Sequence, residues 1–168
     1  MELQELSNLI YAKCKSKGLC QQGTNQWDGS SKDSLLKMYA KEPEFIIQQK
    51  PLSLYFIRDY FEKELLKENG IYILEDCIDL QIDKDKKDCV LNGCNGDITI
   101  NSLDNIITIS DNSSLRLTFN KAGFYTINIF DNSDINIDCI EDCKIVIFSY
   151  GNNDIEKPNV GRIKIINK

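Results

Sequence analysis

The chain of 168 residues contains no histidine. That absence removes Ser-His-Asp and Cys-His catalysis, histidine-held metals and the usual proton carrier near neutral pH. No apolar run approaches the roughly 18 residues of a membrane span. There is no Walker loop, no Gly-x-Gly-x-x-Gly fingerprint and no kinase signature, so no recognisable cradle for phosphate. The opening Met1-Glu2-Leu3-Gln4-Glu5 has neither the basic start nor the apolar stretch of a secretory signal. Basic residues nearly vanish between Asp88 and Asp142, where nine acids face only Arg116 and Lys121. A surface of that kind repels phosphate, and direct DNA binding by this part is not expected.

Charge divides the chain. Residues 1–70 carry ten acidic and ten basic side chains, residues 71–168 sixteen and ten. The net charge of -6 therefore belongs entirely to the second part. It suits a partner with a basic groove; the blander account is a turn-rich surface kept soluble by aspartate. Seven cysteines are an odd number, and without an export signal they are expected to be reduced thiols in a cytoplasm.

What is present is one short phrase that keeps returning. It reads Ile98-Thr99-Ile100, Ile107-Thr108-Ile109, Leu115-Arg116-Leu117, Ile127-Asn128-Ile129, Ile135-Asn136-Ile137 and Ile145-Val146-Ile147. Two aliphatics around one residue, polar in all but the last, give the period of two of a strand with one buried face. Gaps such as Asp111-Asn112-Ser113 and Asp131-Asn132-Ser133 read as turns. Ile107 to Ile127 and Leu115 to Ile135 are both 20 residues apart. A fixed period of this size predicts a repeat architecture. The expected fold class is α+β: a helical N-terminal region over 1–70, then a short, acidic β-solenoid over 71–168 with a repeat of about 20 residues. An antiparallel meander would satisfy the same alternation, although no clean two-residue Asn-Gly or Asp-Gly turn joins two strands. Further strands are expected at Ile71–Leu74, Ile78–Ile82 and Arg162–Ile166. The run Asp83–Asp88 is expected as an exposed turn, and Gly151–Gly161, with Pro158, as a loop.

In the first part Leu3, Leu6, Ile10 and Cys14 share a helical face that Gly18 can end. Ser31 can cap a helix over Lys32–Ala40 with Leu35, Leu36 and Tyr39 inward. Pro43 can open a turn presenting Phe45, Ile46 and Ile47. The strongest pattern follows Ser53, a single helix with Leu54, Ile57, Phe61 and Leu65 as its stripe, closed by Asn69-Gly70. Trp27, Tyr39, Phe45, Phe56 and Phe61 could line a ligand pocket but are expected as bundle core.

Chemistry would have to come from the remaining groups. Asp83/Asp85 and Asp134/Asp138 pair carboxylates without the apolar setting that raises one pKa. Cys89, Cys94, Cys139 and Cys143 could make a four-cysteine zinc site, but their spacings are looser than Cys-x-x-Cys and core thiols fit better. Asn92–Asp97 is similar to one calcium-binding nonapeptide turn, and a plain turn explains it equally well. No cofactor or metal is expected, and no catalysis.

Gly18-Leu19-Cys20, then Trp27, Ser34–Tyr39, Pro51–Arg58 and a tail of short strands closing on Tyr150-Gly151-Asn152 carry a resemblance. The chain resembles a loose group of small phage and mobile-element proteins of Bacteroidetes, with Asp and Asn where those relatives often have Gly-Asn-Ala turns. The resemblance implies provenance, a phage-type protein made inside a bacterial cell, and lends no activity to carry over. The expectation is thus a non-enzymatic inhibitor of a host nucleic-acid-handling defence protein, an anti-CRISPR protein in its most concrete form. Asp104, Asp111, Asp131, Asp134, Asp138 and Asp142 would be its partner-binding residues. A virion component is the alternative from another class.

Overall fold

The computed structural model of the chain describes residues 1–76, 78–83, 88–103, 105–158 and 161–168, apart from the side chains of residues 43 and 78. Asp104, Asp85 and most of the expected turn at Asp83–Asp88 lie outside the described residues. The chain divides into two compact units, Met1–Ile71 and Tyr72–Lys168. No helix among the described residues is long and apolar enough to cross a membrane.

The first unit is helical, and its ends are set by local chemistry. Helix α1 (Leu3–Ser16) begins with a capping box between Glu2 and Glu5 and buries Leu6, Ile10 and Cys14. It stops at Gly18, whose φ of +91° an L side chain adopts only with strain. There the Gly18 and Leu19 amides donate to the carbonyls of Lys15 and Cys14, closing a Schellman motif. Helix α2 (Gln21–Asn25) is a single turn. Ser31 caps α3 (Lys32–Lys41) by accepting from the Ser34 amide, and Leu35, Leu36 and Tyr39 are buried. Helix α4 (Pro43–Gln49) starts at Pro43 and places Ile46 and Ile47 inside.

The single helix expected after Ser53 is two. Helix α5 (Leu54–Tyr60) ends where Phe61 turns extended, at φ -121° and ψ 136°, and α6 (Lys63–Glu68) follows. In an unbroken helix Phe61 and Leu66 would lie about 140° apart around the axis. The break brings both inside, each 5% exposed, while Leu65, the expected stripe residue, is only half-buried. The Asn69 side chain then donates to Asp33 at 3.0 Å, tying the end of α6 to the start of α3.

The second unit is a β-solenoid of about five turns. Its strands are β1 (Ile71–Ile73), β2 (Ile78–Ile82), β3 (Cys89–Asn92), β4 (Asn95–Ile100), β5 (Ile106–Ser110) and β6 (Ser114–Phe119). They continue with β7 (Phe124–Phe130), β8 (Asp134–Cys139), β9 (Lys144–Tyr150), β10 (Asp154–Glu156) and β11 (Arg162–Asn167). Odd-numbered strands make a six-stranded sheet and even-numbered ones a five-stranded sheet, each in chain order. Neighbours within a sheet are parallel, which overturns the meander: hairpins pair successive strands antiparallel, and here successive strands belong to different sheets. Ile107 stands beside Ile127 and Leu115 beside Ile135, 20 residues apart. Two strands escaped the sequence reading, β3 and the three-residue β10 inside the expected loop Gly151–Gly161.

Between the sheets the aliphatics stack. Ile98, Ile107, Leu117, Ile127, Ile135 and Ile147 are among the side chains that are wholly buried. The corners need backbone that few residues tolerate. Asp111 and Asn112 have φ of 58° and 56°, and Asp131 and Asn132, one turn on, have 58° and 54°. Asn and Asp enter this left-handed region most readily after glycine, which is why they fill the gaps between the phrases. Ser113 and Ser133 follow as buried residues whose hydroxyls donate to the carbonyls of Ser110 and Phe130 at 2.6 and 2.8 Å.

Candidate functional site: the outer face of the five-stranded sheet

Because β4, β6, β8 and β10 pair in parallel register, residues that alternate away from the core line up in rows. One row runs Asp79, Asp97, Arg116, Asn136, Glu156. Beside it stand Asn95, Ser114, Asp134 and Asp154, and on its other side Gln81, Thr99, Thr118 and Asp138. Asp79, Asp97, Asp134, Asp138, Asp154 and Glu156 are all exposed. Among the described residues of these rows Arg116 is the one cation. Successive strands are about 4.8 Å apart, well inside the screening length of about 8 Å at physiological salt. The carboxylates therefore act as one field rather than as separate charges. Asn136 spans part of it by donating to Glu156 at 2.5 Å.

The outward positions of β5, β7, β9 and β11 carry no carboxylate and include Lys144, Arg162 and Lys164. The negative charge of the solenoid is thus concentrated on one sheet and its corners.

The aspartates singled out by sequence fall in three places. Asp134 and Asp138 belong to the acidic face. Asp111 and Asp131 sit at the corner after β5 and β7, half-buried and linked by the Asn112 amide donating to the Asp131 carbonyl at 3.1 Å. Asp111 also accepts from the Ser110 hydroxyl at 2.8 Å. Asp142 lies at the opposite corner, exposed. Asp104 lies outside the described residues. Asp79, Asp97, Asp154 and Glu156 were missed, although the alternation already turned Asp79 and Asp97 outward.

Comparison with protein-family models, curated proteins and solved structures finds no match.

The four cysteines do not gather in one place: Cys139 and Cys143 hydrogen-bond to each other, and Cys89 and Cys94 lie elsewhere in the solenoid. Cys89 is inward on β3, beside Ile107. Cys94 sits in the corner between β3 and β4, its thiol 3.4 Å from the Tyr72 carbonyl. Cys139 is the last residue of β8, beside Phe119, and Cys143 lies in the corner that follows, before β9. No group of three His, Cys, Asp or Glu suited to a metal ion occurs among the described residues. Burial pushes the Cys94 thiol up to about 11 and the Cys139 thiol to about 12, the direction opposite to that of an activated nucleophilic thiolate.

In the helical unit, Trp27, Tyr39, Phe45 and Phe61 line a cavity of about 350 Å³ together with Ile10, Cys14, Leu36 and Met38. Of the expected core aromatics Tyr39 and Phe61 are buried, while Trp27 and Phe45 are half-buried at the partly open side of this cavity. Its lining carries no cluster of convergent polar groups beyond Gln26, Lys41 and Glu42.

Proposed function

We propose that the protein is a non-enzymatic binder that docks the acidic face of its five-stranded sheet into the basic groove of a nucleic-acid-handling host defence protein. The supporting observation is the alignment of six carboxylates and a single guanidinium on one exposed sheet. Opposite charges steer such an encounter, speed association and make it salt-sensitive. The resemblance to phage and mobile-element proteins supplies the setting, a bacterial cytoplasm, and makes inhibition of a CRISPR effector the most concrete form.

Affinity capture from phage-infected cells tests this. Wild-type protein is expected to retain a nucleic-acid-handling host protein that elutes with moderate salt. A variant with Asp97, Asp134 and Asp138 all changed to Asn is expected to lose it while keeping its circular dichroism. Recovery of capsid or tail proteins alone overturns the proposal in favour of a virion component.

A further inference from the structure

The cavity of about 350 Å³ in the helical unit divides into a floor and a mouth. Of its lining, Ile10, Cys14, Leu36, Ile57 and Phe61 are buried. Leu19, Trp27, Met38 and Phe45 also line it and are only half-buried. Large apolar side chains ordinarily close over such a space, because every bit of apolar surface removed from water is favourable. Here two of them are tied back. The Trp27 indole N–H donates to the Ser7 hydroxyl at 3.3 Å, and its ring meets that of Tyr11 at a centroid distance of 5.0 Å in edge geometry. The Met38 sulfur accepts from the Asp28 amide at 3.2 Å. Ser7, Tyr11 and Asp28 all stand outside the lining, so the opening is built into the fold.

The lining says what fits. Four rings, those of Trp27, Tyr39, Phe45 and Phe61, share it with the Met38 thioether and the Cys14 thiol. Rings and sulfur favour an aromatic guest, through stacked and edge contacts that add to burial of area. A charged guest would lie among these groups without a partner and is excluded on that ground. At the exposed rim Lys41 and Glu42 carry opposite charges and select for neither sign. Gln26, the other polar group there, can give or accept a hydrogen bond. A dry space of about 150 Å³ holds benzene. This one is more than twice that size, room for two fused rings.

We propose that the helical unit binds a small, uncharged aromatic molecule of about two fused rings in this cavity, its outer edge against Trp27 and Phe45. The site uses no residue of the acidic sheet, so it stands or falls separately from the docking proposed for the solenoid.

Naphthol, uncharged at neutral pH, is the probe. Its fully hydrogenated counterpart, the same skeleton without aromatic rings, is the control. Calorimetry on the full chain measures affinity. Trp27 is the only tryptophan, so its indole N–H gives one NMR signal that reports binding at this place. The expected result is one naphthol per chain with a Kd on the order of tens of micromolar, a shifted Trp27 signal, and the control about tenfold weaker. Leu36→Phe puts a ring into the empty space from its buried wall and is expected to abolish binding. Should that variant not fold, Phe45→Leu takes its place. At a half-buried position it keeps apolar surface and removes one ring, and is expected to weaken naphthol about fivefold while leaving the control unchanged. No binding up to the solubility limit, binding that leaves the Trp27 signal in place, equal affinity for the control, or full naphthol affinity in a folded variant would each overturn the proposal.

Discussion

The helical unit buries its apolar side chains at positions that never repeat, whereas the solenoid buries them at the same place in every turn. In the helices Leu6, Leu36, Ile57 and Phe61 each meet a different setting, and the last three border a cavity of about 350 Å³. In the solenoid Ile107, Ile127 and Ile147 stack on one another, so a side chain that fits one turn fits the next. Repetition makes packing easy to satisfy and makes every turn depend on its neighbours. The helical unit relies instead on caps and on a few cross-links such as Lys32 to Glu62 at 2.7 Å.

The sharpest test of this contrast is a charge inside the stack. Ile127 is wholly buried with Ile107 on one side and Ile147 on the other. Ile127→Asp puts an unpaired carboxylate among aliphatics, at several kcal/mol or more, and is expected to leave no cooperative thermal transition. Asn128→Asp, one residue on and facing out, is expected to stay within about 0.5 kcal/mol. Equal melts for the two would break the inward and outward assignment of β7.

Next in size is the same truncation made in both units. Leu117, wholly buried between β4 and β8, is expected to cost about 4 kcal/mol as Leu117→Ala, near the upper part of the range for leucine. Leu36, 1% exposed, already borders empty space and so has fewer contacts to lose. Leu36→Ala is expected near 2.5 kcal/mol, toward the lower end. Denaturant unfolding measures both, and a larger loss at Leu36 would show that the cavity is not a void in solution.

A third comparison sets a turn hydroxyl against a helix cap. Ser113 is wholly buried, accepts from the Cys94 amide at 3.0 Å and donates to the Ser110 carbonyl. Ser113→Ala strands a buried donor and weakens a buried acceptor, an expected loss of about 2–3 kcal/mol. Ser31→Ala removes an accessible N-cap whose freed amide water can reach, at about 1 kcal/mol. Urea midpoints that reverse this order would contradict the view that solenoid corners matter more than helix ends.

The solenoid was legible because its physics is periodic. Alternation gave the buried face, the 20-residue offset gave the neighbour, and Asp-Asn pairs marked corners where φ turns positive. β10 was lost because three residues with one aliphatic, Asp154-Ile155-Glu156, show no period; only pairing with β8 makes them a strand. The break at Phe61 was lost for a different reason. Nothing in Tyr60-Phe61-Glu62 forbids a helix, and the extended residue is chosen because it buries Phe61 and Leu66 together. The acidic face was half-seen. Grouping aspartates by their turns joined Asp111 to Asp134, whereas register joins Asp134 to Asp154 and Asp97 to Arg116.

The smallest expected difference leaves the fold intact and concerns the thiols. Cys14 in the helical unit and Cys94 in the solenoid are both buried, Cys20 is exposed, and none is in a disulfide. Burial raises Cys14 and Cys94 from the ordinary 9.0 to about 11, because a thiolate would lose its hydration. At pH 8 their thiolate fraction is then about a hundredfold below that of an unperturbed thiol, and the thiolate is the reactive form. Brief alkylation at pH 8 followed by mass spectrometry should mark Cys20 and leave Cys14 and Cys94 unlabelled. Raising the pH changes this in a definite direction. Below 9 both states of the chain hold these protons and stability is unaffected. Between 9 and 11 the unfolded chain releases them while the folded one retains them, so stability falls as pH rises. Labelling of Cys14 and Cys94 should accelerate over that window as the melting temperature drops. Of the two, Cys14 should react first, since it borders a cavity, while Cys94 is wholly buried in a corner locked to the turns on either side. Reaction of Cys94 ahead of Cys14 would mean that the solenoid opens more readily than the helices, reversing the comparison.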